Sequence, residues 1–178
     1  MDLNPALDTE PDDSTVYTAI TPPESVAADV QNDHDCFKPT EISVTIPRPG
    51  NTYLIRSASS GEVITLLDGK IILAQPDGRG ECRWVCELDN GWFGFRNIVS
   101  GRYLGRDIDW RMCCSVTWLK EWEKFLARER PGGGSVLLMT HWWVIRPIGM
   151  KMENGIKKLA MIENWESDEM IWEFIEVQ

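Results

Sequence analysis

Histidine is scarce in this chain: His34 and His141 are the only two among 178 residues. With so few, a metal centre or a nucleophile–histidine relay has little to draw on, and neither a metal site nor a cofactor is expected. The five cysteines, Cys36, Cys82, Cys86, Cys113 and Cys114, are odd in number and form no Cys-x-x-Cys pair. That points to reduced thiols packed as small hydrophobes rather than to a disulfide framework. Basic residues are also short, with 18 Lys+Arg against 28 Asp+Glu for a net charge of −10. Binding to phosphate backbones or anionic lipid needs a basic face, so no nucleic-acid and no membrane partner is expected. Apolar runs stop at four residues, 136–139 and 142–145, far from the roughly 20 that a bilayer span requires. The opening Met1-Asp2-Leu3-Asn4-Pro5 has no positive or apolar region of a secretory signal, and no Asn-x-Ser/Thr sequon occurs. The expected compartment is therefore the cytoplasm, with the nucleus left open. Gly-x-Ser-x-Gly, P-loop, Gly-x-Gly-x-x-Gly and His-Glu-x-x-His motifs are all missing, and the expectation is a protein that is not an enzyme.

Tryptophan, by contrast, is abundant, and charge is unevenly spread. Residues 1–40 hold nine acids against Lys38, and seven of the ten prolines fall within 1–49. With Tyr17 and Phe37 its only aromatic residues, the segment 1–40 cannot offset the entropy of ordering and is expected to be a disordered acidic tail. The rest, 41–178, is nearly neutral and reads as one domain. Its texture is short apolar or alternating runs broken by Gly, Asn and Asp about every ten residues, which predicts an all-β domain. Twelve strands are expected, at 52–59, 63–67, 71–75, 83–88, 92–99, 103–106, 112–117, 122–127, 136–140, 143–146, 158–163 and 171–177. Turn chemistry separates them, notably Asp68-Gly69, Asn90-Gly91, Ser100-Gly101 and Asn154-Gly155.

One segment carries two signals. Trp118, Leu119, Trp122, Phe125 and Leu126 fall at helical spacing, but a repeat argues for a strand over most of it. Trp84, Trp122 and Trp172 each stand late in a block of four strands, 32, 30 and 36 residues after opening strands that begin near Thr52, Trp92 and Val136. Three blocks of four strands predict a closed six-stranded barrel capped by three hairpins, the β-trefoil, with Trp84, Trp122 and Trp172 as its threefold barrel anchors. A helical turn near 117–121 is compatible with this reading.

Gly91-Trp92-Phe93-Gly94-Phe95-Arg96-Asn97, followed by Ser100-Gly101-Arg102-Tyr103-Leu104-Gly105, resembles the fascin-like, actin-crosslinking superfamily of β-trefoils, and within it the single-trefoil proteins of filamentous fungi. The resemblance covers about 45–178. It implies a binding module whose ligand is a protein, actin or another cytoskeletal component. Ricin-B-like lectins and mycocypin-like protease inhibitors are more distant resemblances, implying a carbohydrate or a protease as partner. Ricin-type sugar sites carry Gln-x-Trp, whereas Cys82, Lys120 and Met170 stand two residues before the three tryptophans here. A sugar site would therefore lie elsewhere. Trp110, Trp118, Trp142, Trp143 and Trp165 exceed what a threefold plug uses, and sugars stack on exposed rings. Adjacent Trp142 and Trp143 would face opposite ways on a strand, leaving one near the surface. Asp107 and Asp109, read as one strand face beside Trp110, complete the candidate ligand-binding residues, with a solvated hairpin tip as the competing reading.

Overall fold

The computed structural model describes residues 43–163 and 169–178. The acidic segment 1–40, with His34 and Cys36, lies outside the described residues, as does Trp165.

Six strands form a closed antiparallel ring. They are β2 (Thr52–Ser57), β5 (Arg83–Asp89), β6 (Trp92–Asn97), β9 (Phe125–Glu129), β10 (Ser135–His141) and β13 (Trp172–Val177). In that order each pairs with the next, and β13 returns to β2. Closure leaves the ring no free edge for another chain to pair with. Three hairpins cap it: β3 (Val63–Leu67) with β4 (Lys70–Ala74), β7 (Tyr103–Arg106) with β8 (Met112–Val116), and β11 (Val144–Glu153) with β12 (Ile156–Met161). Strands β4, β8 and β12 touch one another at the axis. A two-residue strand, β1 (Ser43–Val44), lies outside β13. This is the β-trefoil that the three blocks of four strands predict.

The tight turns follow from residue type. Asp68-Gly69, Asn90-Gly91 and Asn154-Gly155 have both residues at positive φ, the backbone of a type I′ turn, whose twist matches that of the flanking strands. Register then repeats through the blocks. The cross-strand partners make Trp84, Phe125 and Trp172 equivalent, as they do Ile55, Phe95 and Leu137 on the opening strands. All six are fully buried in one core. The hairpins add Ile64, Leu104 and Ile148, with Leu73, Cys114 and Met161 opposite them. Phe95 is the hub of an aromatic cluster, its centroid 5.4 Å from Phe125 and 5.8 Å from Phe174. Each ring buried in this way contributes about 2–3 kcal/mol.

Trp122 is not a barrel anchor. It sits in a 3₁₀ turn, Glu121–Glu123, and is 43% exposed; Phe125, three residues later, fills the second anchor position. The Glu123 amide donates to the Lys120 carbonyl at 3.1 Å and the Lys120 amide to Glu123 Oε2 at 3.2 Å. That compact turn delays the start of β9. The helical pattern of 118–126 is realised as this single turn. Leu119 packs over Gly94, where an added Cβ would lie 2.6 Å from Leu119 Cδ1, while Trp118 faces outward.

The two tryptophan anchors are not energetically equal. Trp84 Nε1 donates to the Ile64 carbonyl at 2.8 Å, whereas Trp172 Nε1 is buried without an acceptor. Trp84→Phe loses a buried hydrogen bond and orphans a carbonyl, at about 1–3 kcal/mol beyond the lost volume. Trp172→Phe loses nothing polar and is expected to cost less, mimicking the phenylalanine of block two. Denaturant midpoints of the two variants check this order, and a larger loss for Trp172→Phe would contradict it.

Candidate functional site

The three blocks differ where the first strand turns into the second. Pairings Arg56↔Val63, Arg96↔Tyr103 and Leu138↔Pro147 set the equivalent positions. Ser57 and Val63 lie six positions apart, as do Asn97 and Tyr103, but Met139 and Pro147 lie eight apart. In blocks one and two the connection is a compact turn. Gly61 N–H bonds the Ser57 carbonyl and Gly101 N–H the Asn97 carbonyl, each at 2.9 Å. The two extra residues of block three instead prolong the ladder through Met139↔Arg146, Thr140↔Ile145 and His141↔Val144. Trp142 and Trp143 form the tip.

Both indoles stand in solvent, Trp142 82% and Trp143 97% exposed. Trp142 has φ 56°, a left-handed backbone that disfavours a bulky side chain and costs of order 1–3 kcal/mol. Trp110, at φ 69°, shares that conformation. Strain at two such residues, both beside this hairpin, is the kind that functional sites retain.

Between the hairpin tip, the 3₁₀ turn and the end of β7 lies a cleft of about 610 Å³. Trp122, Trp142, Trp143 and Ile108 give its apolar walls, and Arg106, Glu121, Thr140 and His141 its polar groups. Gly105 lets the 3₁₀ turn press onto β7, since a Cβ there would lie 2.8 Å from the Trp122 carbonyl oxygen. The Arg106 guanidinium carbon consequently sits 4.5 Å above the Trp122 ring, a cation–π contact. A second stack stands behind: Arg146 over Trp110 at 5.1 Å, Trp110 against His141 at 4.7 Å, and His141 edge-on to Trp142 at 6.2 Å. Burial, reinforced by the Arg106 and Arg146 charges, lowers the His141 pKa below its ordinary value, so its imidazole is neutral at pH 7.

The candidate residues divide. Trp142 and Trp143 line the cleft, and Trp110 supports it through His141. Asp107 and Asp109 do not, and they stand in a turn rather than on a strand face. Asp107 Oδ1 accepts the amides of Asp109 and Arg111, both at 2.9 Å, the local capping that aspartate favours in turns. Asp109 pairs with Arg111 at 3.0 Å, and Arg111 also grips Glu153 with two bonds of 2.8 and 2.9 Å. That grip, shared with Lys158, holds the Glu153 carboxyl down at about 2. The carboxylates thus secure the hairpin tip. Sequence reasoning missed Arg106, His141 and Trp122 as site residues. The signal that was present is the two-residue excess in block three.

Among the described residues the four cysteines offer no ready thiolate. Burial raises the pKa of Cys82, Cys113 and Cys114 and pushes Cys86 up to about 12, so these thiols stay protonated. Among the described residues no group of three His, Cys, Asp or Glu side chains could hold a metal ion.

No family model matches the chain, and no curated protein sequence matches it. Solved structures do. The chain is similar to the Macrolepiota procera ricin B-like lectin in complex with lactose, at 16% identity over 73% of this chain and 98% of that one, with a TM-score of 0.56. It is similar to the designed three-fold symmetric protein ThreeFoil, at 13% identity over 71% and 99%, with a TM-score of 0.58. It is also similar to a GlcNAcα1-4Gal releasing endo-β-galactosidase from Clostridium perfringens, at 18% identity and a TM-score of 0.57. There the match covers 72% of this chain but spans only 33% of the enzyme. At these identities the likeness establishes the fold, and the described domain is a β-trefoil. The ricin-type Gln-x-Trp is absent at the corrected anchor too, since Glu123 stands two before Phe125.

Proposed function

We propose that this chain is a non-catalytic carbohydrate-binding β-trefoil that takes a saccharide in the cleft between the Trp142–Trp143 hairpin and Trp122. The observation that carries this reading is the pair of solvent-facing indoles on a hairpin lengthened in one block alone, facing a third indole across a polar floor. Exposed rings of this size are costly to leave in water, and with a few convergent polar groups they form the apolar-plus-polar lining that ligands select. Sugar rings present apolar C–H faces that stack on indole, while their hydroxyls need hydrogen-bonding partners such as Thr140 and His141. A structural neighbour bound to lactose and another that releases GlcNAcα1-4Gal support the ligand class. The cleft lining contains one carboxylate, Glu121, which is bound to Lys124 at 3.1 Å. Glycoside hydrolysis ordinarily needs two carboxyl groups flanking the bond, so binding without turnover is the reading that fits. The fascin-like expectation of an actin partner gains no support from these neighbours, and a saccharide replaces it here.

A glycan array, followed by titration of the hits with tryptophan emission as readout, tests the proposal. Saturable binding with a quenched or shifted emission is expected. Failure of every saccharide to bind at millimolar concentration would overturn it.

A further inference from the structure

We infer that the saccharide taken by this cleft carries an anionic group, a carboxylate or a sulfate, received by Arg106. The inference rests on the saccharide reading and goes beyond it by naming the chemistry that distinguishes the ligand.

It starts from the arginines. The partly buried ones elsewhere have carboxylate partners: Arg56 with Glu173 at 2.9 Å, Arg83 with Glu81 at 2.8 Å, Arg96 with Glu87 at 2.7 Å and Arg111 with Glu153 at 2.8 Å. Arg106 is more buried than any of these, at 5% exposed, and among the described residues it has no ion pair. Its Nε is buried with no acceptor, and its Nη1 reaches only the Asp107 carbonyl at 3.3 Å. The nearby acids Glu123 and Asp107 act on it through their charge, but neither gives it an ion pair or a side-chain hydrogen bond. Asp107 Oδ1 is filled by two backbone amides, and Glu123 accepts from the Lys120 amide. Among the described residues Arg146, one stack behind, also has no carboxylate partner, and its Nε is buried without an acceptor there. His141, between the two arginines, has a buried Nδ1 with no partner.

A buried guanidinium whose Nε lacks an acceptor is expensive, and here desolvation outweighs the pull of the nearby Glu123 and Asp107 charges. Arg106 lines the indole-walled cleft beside His141, with the half-buried Arg146 stacked behind on Trp110, so positive charge gathers at its floor. The fork geometry of Arg106 suits a planar carboxylate or a sulfate, which can take two parallel N–H bonds. A sugar ring stacked on the hairpin indoles would carry such a group toward the floor. A neutral sugar would leave Arg106 as unsatisfied as it is now, so discrimination by charge follows from the geometry.

The test compares matched probes on the full chain: galactose, galacturonate and galactose 6-sulfate as oligosaccharides of equal length, titrated calorimetrically, with a sialylated probe beside them. The acidic members are expected to bind about tenfold tighter or more than the neutral one. Arg106→Gln and Arg146→Gln are expected to reduce that ratio, each variant being checked for folding by its thermal transition. Galacturonate and the sulfate, ranked against each other, separate the two anion sources. Equal affinity of neutral and acidic probes for the unaltered chain would overturn the inference and leave the saccharide reading standing. So would a ratio unchanged in a folded Arg106→Gln protein. Binding of none of the probes, or of any saccharide on the array, removes both.

Discussion

Alanine at both Trp142 and Trp143 is expected to reduce saccharide affinity at least a hundredfold while leaving the domain as stable as before. Each indole stands almost wholly in solvent, so its removal uncovers no core, and exposed substitutions of this kind stay within about 0.5 kcal/mol. Binding is different, because an aromatic anchor in a ligand contact commonly contributes about 2 kcal/mol or more. Trp142→Gly sharpens the contrast. Position 142 holds a left-handed backbone that glycine adopts freely, so this variant is expected to gain up to about 1 kcal/mol of stability as it loses affinity. Calorimetric titration alongside thermal melts reads both quantities. A double variant that unfolds, or one that binds unchanged, would contradict the assignment of the hairpin to ligand binding.

The second large effect concerns the barrel. Phe125→Ala is expected to cost about 3–5 kcal/mol, a sizeable part of the roughly 5–15 kcal/mol that holds such a domain folded. Phe125 is fully buried, contacts Phe95 edge-on at 5.4 Å and pairs with both Phe93 and Met139. The ring is closed through β9, so a cavity there loosens both neighbouring strands, β6 and β10. Trp122→Ala, three residues away and larger in deleted volume, is expected to cost about 1 kcal/mol or less, since its ring already faces solvent and the Arg106 stack is the main loss. It should instead weaken saccharide binding. Denaturant unfolding of the two variants settles the order, and a costlier Trp122→Ala would restore Trp122 to the core.

That pair of residues also shows where reading a sequence succeeds and where it stops. Turn pairs such as Asp68-Gly69 and Asn154-Gly155 impose a backbone whatever surrounds them, and with the regular spacing of apolar runs they disclose the trefoil. The choice between Trp122 and Phe125 is of another kind. Both lie in one apolar stretch at similar distance from the opening strand, and a single 3₁₀ turn, set by local bonds at Lys120 and Glu123, decides which of them enters the barrel. Asp107 and Asp109 are hard to read for a related reason: a carboxylate that bonds its own turn looks the same in sequence as one that awaits a ligand. Arg106 is the reverse case. Its chemistry depends on what is missing around it, and the lack of a bonded carboxylate among the described residues is a fact of three dimensions. The strand reading of Trp142 and Trp143, one facing in and one out, fails because the pair forms the hairpin turn, which turns both indoles to solvent.

The hairpin of block three is lengthened while its two counterparts stay short. Among the described residues this cleft therefore has no counterpart in the other two blocks, and on the proposed saccharide reading each molecule is monovalent at it. Alone, it can occupy a glycan chain without bridging two of them, so agglutination or network formation would require self-association or repetition of the ligand along a surface, where the gain comes from local concentration rather than from any new contact.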